Sequence, residues 1–175
     1  MSYFAAALAR TGVGWTGVEL DFAEIDDLET LTELLRDLTG EGPGPALLLF
    51  EQDDEHVAVV RVDGGTGSLD DPRIFLSDRR AVHGSDVVAM LWQDAEIEPQ
   101  GDEPDAEQDE DEDDQGSVRM IVEPVGDAAL LVDLGTPADV LVNLCAEEGL
   151  LPADVISALC ERAGCLDLLE QLREA

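Results

Sequence analysis

Between Asp94 and Gly116 the chain carries 13 acidic residues, no basic one, and two prolines, Pro99 and Pro104. Such a segment holds too little apolar surface to offset the entropy of ordering it, and its like charges repel along the backbone. It reads as a disordered acidic linker, 94–116, that separates an α+β unit, 1–93, from a C-terminal unit, 117–175, that packs against it or stands alone. The charge divides in the same way. The whole chain has 42 Asp and Glu against 9 Arg and no Lys, a formal charge of −33; leaving the run aside, 29 acidic and 9 basic residues remain, a charge of −20. The folded parts are therefore acidic in their own right.

Upstream of the run, two hydrophobic periods follow one another. Tyr3 to Ala9 and Trp15 to Phe22 read as extended segments joined by Thr11-Gly12-Val13-Gly14, whose glycines suit a hairpin turn. Val18, Leu20 and Phe22 alternate with Glu19 and Asp21, the pattern of a half-buried strand. The period then lengthens. Leu28, Leu31, Leu34, Leu35 and Leu38 share one face of a helix that Asp26 with Glu29 would cap and Gly40 would end. Ala46 to Phe50 is a continuous apolar run short enough for a buried strand, and the β-branched Val57 to Val62 pairs with it across the acidic turn Gln52 to Glu55. Arg73 to Ser77 reads as a fifth strand, and Asp86 to Trp92 as a helix or a further strand. This order predicts an α+β fold: a mostly antiparallel sheet of about five to six strands with one or two covering helices.

Downstream, Ser117 to Val125 reads as one more strand and the remainder as three helices. An internal repeat sets the first two. PADVLVNLCAEEG, Pro137 to Gly149, and PADVISALCERAG, Pro152 to Gly164, share seven of thirteen positions at an offset of 15. Each has Pro at the expected first helical position and Gly past the expected end, and Thr136 with Asp139 adds a capping-box pattern to the first. Two copies make a helical hairpin, too short for a solenoid. Leu166, Leu169 and Leu172 give a third helix, Leu166 to Arg173, the same core.

No residue set points to catalysis, a cofactor or a metal. Cys145 and Cys160 occupy equivalent repeat positions beside Leu144 and Leu159, which favours packing, and the C-x14-C-x4-C spacing with Cys165 completes no zinc pattern. His56 and His83 are isolated in sequence. Gly64-Gly65-Thr66-Gly67 lacks the Lys-Ser/Thr of a phosphate loop and reads as flexible. Aligning the acidic run as a calcium loop from Asp111 puts Val122 where a bidentate Glu is required. A site assembled by folding from dispersed residues would draw on His56, Asp54, Arg61 and Arg73.

Composition narrows the partners. Nucleic-acid affinity depends on Lys and Arg displacing counterions, so a chain of −33 is expected to bind neither DNA, RNA nor anionic membrane directly, and to attract a basic protein partner. No window reaches the about 20 apolar residues of a membrane span. Met1-Ser2-Tyr3-Phe4 lacks the basic start of a signal peptide, and three cysteines without an export signal suit reduced thiols, so the expected compartment is the cytoplasm.

Asp53-Asp54-Glu55, Ala58 to Gly64, Asp71-Pro72-Arg73, Gly126-Asp127, Asp133-Leu134-Gly135 and Leu151-Pro152-Ala153-Asp154 resemble the tRNA adenosine deaminase-associated protein family of high-GC bacteria. The resemblance spans nearly the whole chain apart from the acidic run and implies association with that deaminase, without any site residue to carry over. It does not imply the deaminase reaction. Zinc nucleobase deaminases need H-x-E and P-C-x-x-C; here His56 is followed by Val57-Ala58, His83 by Gly84-Ser85, and no two cysteines are two residues apart. The expected role is a non-enzymatic acidic accessory protein whose basic partner is the tRNA adenosine deaminase. The alternatives are a scaffold or dimerisation module with unrelated partners, and a small enzyme built on the dispersed residues above.

Overall fold

The computed structural model describes residues 2–40, 42–64, 72–94 and 123–175. Most of the acidic run, the 65–67 part of the glycine-rich stretch and positions 117–122 of the strand expected to begin at Ser117 lie outside the described residues. Strands β1 (Tyr3–Thr11), β2 (Gly14–Glu19), β3 (Pro45–Gln52), β4 (His56–Asp63), β5 (Arg73–Leu76) and β6 (Val125–Gly126) form one sheet in the order β2-β1-β3-β4-β5-β6. Every neighbouring pair is antiparallel. The fold class is the α+β arrangement expected.

The two faces of the sheet are both covered, which explains why β1, β3 and β4 read as continuous apolar runs and not as alternations. Ala5, Ala7, Leu48, Phe50, Ala58 and Val60 pack under helices α1 (Leu28–Thr39) and α2 (Asp86–Asp94). Ala6, Leu8, Leu47, Leu49, Val57, Val59 and Phe75 pack under α3 (Ala138–Ala146), α4 (Pro152–Ala163) and α5 (Leu166–Glu174). The segment after residue 123 therefore supplies both an edge strand and the whole second helical layer. Alanines at Ala5, Ala6, Ala7 and Ala9 leave room for helices on both sides of β1.

Local details depart from the sequence reading for physical reasons. β2 ends at Glu19, and Phe22–Glu24 turns as a short 3-10 segment, which brings Phe22 edge-on to Phe50 at 5.6 Å between ring centres. Val18 stays 41% exposed, because β2 is an edge strand that α1 only partly overhangs. Asp27, not Asp26, caps α1: its carboxylate accepts from the Thr30 N–H at 2.7 Å. Gly40 ends that helix at φ +58°, a conformation glycine adopts without a Cβ penalty. Asp86 to Trp92, ambiguous by period, is helical.

The repeat copies are not equivalent in space. Pro152 opens α4, whereas Pro137 sits one residue before α3, and Thr136 makes no side-chain cap there. Leu159 and Cys160 of the second copy are buried, while Leu144 and Cys145 of the first are only half-buried. The second copy lies directly on β3 and β4; the first leans on the second.

Candidate functional site

The four residues considered for a site assembled by folding divide into two groups. His56 and Arg61 both lie on β4 but five positions apart, so the pleat sends them to opposite faces. Asp54 lies in the β3–β4 turn beside His56, and Arg73 pairs in register with Arg61 at the far end of β4. They do not converge.

Arg61 is a clasp between sheet and helical layer. Its side chain is 7% exposed, and its guanidinium donates to Asp63 at 2.8 Å, to both carboxylate oxygens of Asp133, and to the Leu130 carbonyl at 2.6 Å. The Asp133 bonds outweigh burial and raise the guanidinium's affinity for its proton, and the same bonds hold Asp133 below the usual carboxylate range. Arg73 binds Asp127 at 2.6 Å alongside. With its donors consumed inside the protein, Arg61 is unavailable to an anionic ligand.

His56 is 6% exposed and faces the α1–α2 layer, 6.2 Å from the Phe50 ring. Its Nε2 has no hydrogen-bond partner among the described residues. Desolvation lowers its pKa against the pull of Glu55, Asp78 and Asp53. Around it, Ser85 donates to Gln52 at 2.6 Å, Gln52 donates to Asp53 at 3.1 Å, and Asp53 accepts from the Ser2 N–H at 2.7 Å. Among the described residues no carboxylate hydrogen-bonds the Nε2 of this ring, which is nearly closed off from solvent. His83 lies in the short 3-10 segment Arg79–His83, away from His56 in sequence and partnered by no reactive group there.

All three thiols are free. Burial pushes Cys145 up to about 12. The Cys165 N–H donates to the Cys160 carbonyl at 2.8 Å, and the two neighbouring thiols, both buried in the helical layer, hold Cys160 above and Cys165 below the usual thiol value. Together with Leu47, Leu49 and Leu131 they line a void of about 10 Å³, room for no more than one water. Among the described residues no group of three or more His, Cys, Asp or Glu has the arrangement of a metal site.

The accessible hollows have a common chemistry. One of about 240 Å³ opens between the start of β4, Ser77 and the α3–α4 connection; Val57, Leu150, Pro152 and Val155 floor it, and Asp54, Glu55, Glu147 and Glu148 rim it. Another, of about 110 Å³, adjoins it at Asp54 and includes Glu51 and Asp53. A third, shallow and about 440 Å³, runs between β2 and α1 past Val18, Leu34 and Leu38, with Glu33 and Asp37 on its edge. Among the described residues no Arg lines any of the three. The sequence reading passed over the first because its parts are 90 residues apart; the signal present was the Glu-Glu-Gly-Leu-Leu-Pro stretch joining the two repeats.

Asp53 and Asp54 both adopt positive φ, 53° and 56°, in the turn that joins β3 to β4. They are the central pair of a turn closed by the Glu55 N–H on the Gln52 carbonyl at 3.0 Å, within a three-residue loop between the paired Gln52 and His56, and left-handed central positions of this kind usually take Asn-Gly. Asp tolerates the conformation better than most residues, and the Asp53 bonds to Ser2 and Gln52 help hold it. The turn thus projects carboxylates at the lip of both adjoining hollows.

No curated protein and no solved structure matches the chain. Residues 3–166 match the profile of one family, a span that takes in all six strands and α1 to α4, and so the chain belongs to the Rv3753c-like tRNA adenosine deaminase-associated protein family.

Proposed function

We propose that the protein is a non-enzymatic accessory partner of the tRNA adenosine deaminase, docking through its acidic surface onto basic surface of that enzyme in the cytoplasm. The observation that carries the reading is the chemistry of the openings: each of the three combines apolar side chains with carboxylates, with no cation among the described residues that line them. The family's description as tRNA adenosine deaminase-associated supports that enzyme as the partner. An enzyme that grips tRNA presents Lys and Arg to phosphates, and a protein of charge −33 is drawn to that kind of field at long range. Docking there stabilises the enzyme or limits tRNA access. The tRNA itself is disfavoured as a ligand, because its phosphates would face forty-two carboxylates against nine guanidiniums.

Co-purification of the tagged full chain with the deaminase, at low and moderate salt, tests the reading. Recovery at low salt that declines as salt rises supports it; no recovery at either rejects it.

A further inference from the structure

We propose that the 240 Å³ hollow between the β3–β4 turn and the α3–α4 connection is the docking groove, and that its occupant is a partner segment bearing a large aliphatic side chain flanked by Arg or Lys. This inference rests on the reading of the protein as an acidic docking partner and locates the surface responsible. Two independent features define the occupant. The floor, Val57, Leu150 and Val155, is apolar and has room for a branched aliphatic group, whose burial supplies the non-directional part of the affinity. The rim carries Asp54, Glu55 and Glu147, for which no ion pair to an Arg exists among the described residues. They therefore retain capacity for charge-assisted hydrogen bonds to incoming guanidinium or ammonium groups.

The other hollows are less suited. Beside the adjoining one, Glu51 is bound by Arg173 and Asp53 by the Ser2 N–H, so their charge is partly spent within the chain. The long groove along α1 is shallow and exposed, with Glu33 and Asp37 on its edge only. A second copy of the chain is a poor occupant of the chosen groove, because it brings the same charge of −33 to an acidic rim. Nucleic acid is excluded by the same sign argument.

Ala146 stands exposed on the wall of the groove at the end of α3, so Ala146→Trp fills the opening without changing charge or core. The paired reversal Glu55→Arg with Glu147→Arg alters the rim, and Glu24→Arg with Glu170→Arg makes an equal charge change at exposed positions elsewhere. The full chain carrying each change is titrated against the purified deaminase by calorimetry, and the wild-type and Ala146→Trp chains are titrated by amide NMR with a synthetic peptide of alternating Leu and Arg. The proposal expects Ala146→Trp and the rim pair to weaken deaminase binding at least about tenfold and the distant pair less than about threefold. It also expects peptide-induced shifts centred on Val57, Leu150 and Val155, lost in Ala146→Trp. Equal weakening by both reversals, with Ala146→Trp unaffected and peptide shifts spread over the acidic surface, overturns the groove and leaves the accessory role standing. Peptide shifts centred in the groove without deaminase binding support the groove and reject the deaminase as partner. A self-associated species that Ala146→Trp dissolves, with no peptide binding in the groove, assigns the groove to a second copy and overturns the proposal.

Discussion

Arg61 shows how a residue type misleads when its surroundings are unknown. An Arg amid Val residues of a predicted strand looks like a candidate ligand for an anion, yet its fork is spent on Asp63, Asp133 and the Leu130 carbonyl. The strand pattern revealed the strand but not the loop some 70 residues later that would neutralise the charge. Arg61→Met should cost about 2 kcal/mol of folding stability by leaving the Leu130 carbonyl and the carboxylates without donors; the cost is moderated because the Asp133 side chain is 60% exposed and regains water. Urea unfolding of the two proteins measures it, and an unchanged midpoint would show that the clasp is inessential. His56 supplies a second residue-scale test. Its folded pKa lies below the ordinary 6.5, so the unfolded chain binds the proton more readily and stability falls as pH drops through that value towards the lower folded one. His56→Phe should flatten the difference between stability at about pH 7.5 and about pH 5.5; parallel profiles for the two proteins would show that the imidazole is not the group responsible.

At the scale of elements, the strands and helices were legible because the chain changes period where its structure changes. Leu28, Leu31 and Leu35 are the buried stripe of α1, and the ββ pairing across Gln52 to Glu55 follows from two apolar runs separated by a charged turn. What the residues concealed was which layer each element joins. Period alone says that a helix has an apolar face, not which face of the sheet receives it, and β1 offers small or apolar side chains to both, Ala5, Ala7 and Ala9 to one and Ala6 and Leu8 to the other. The repeat carries the same lesson. Identical letters at Leu144 and Leu159 occupy unlike places, because Leu159 is buried on α4 against β3 and β4 while Leu144 is half-buried on α3. Leu159→Ala should therefore destabilise by about 3 kcal/mol and Leu144→Ala by about half that or less, since the penalty grows with the void left behind. Thermal unfolding of both variants decides it; equal losses would place the two helices at equal depth. The hollow proposed for docking was illegible for a related reason: its floor joins the start of β4 to the connection between two helices that sequence assigns to a separate unit.

For the molecule as a whole, charge is the dominant physical fact. Forty-two carboxylates against nine guanidiniums repel one another in the native state, and the few clasps at Arg61, Arg73 and Arg173 tie the helical layer and its loops to the sheet against that repulsion. Screening should relieve it, so the melting temperature is expected to rise by several degrees between about 0.02 M and about 0.5 M sodium chloride, where the Debye length shortens from about 20 Å to about 4 Å. A melting temperature that falls over this range would mean that attractive pairs outweigh the repulsion. Binding to a basic partner should respond in the opposite sense, because the same ions that steady the free protein screen its attraction for the enzyme. The affinity of the full chain for the purified tRNA adenosine deaminase, followed by calorimetry over that salt range, measures both the partnership and its electrostatic origin. The account predicts a saturable complex whose Kd rises at least about tenfold as salt increases; no complex at the lowest salt, or one indifferent to salt, would contradict it.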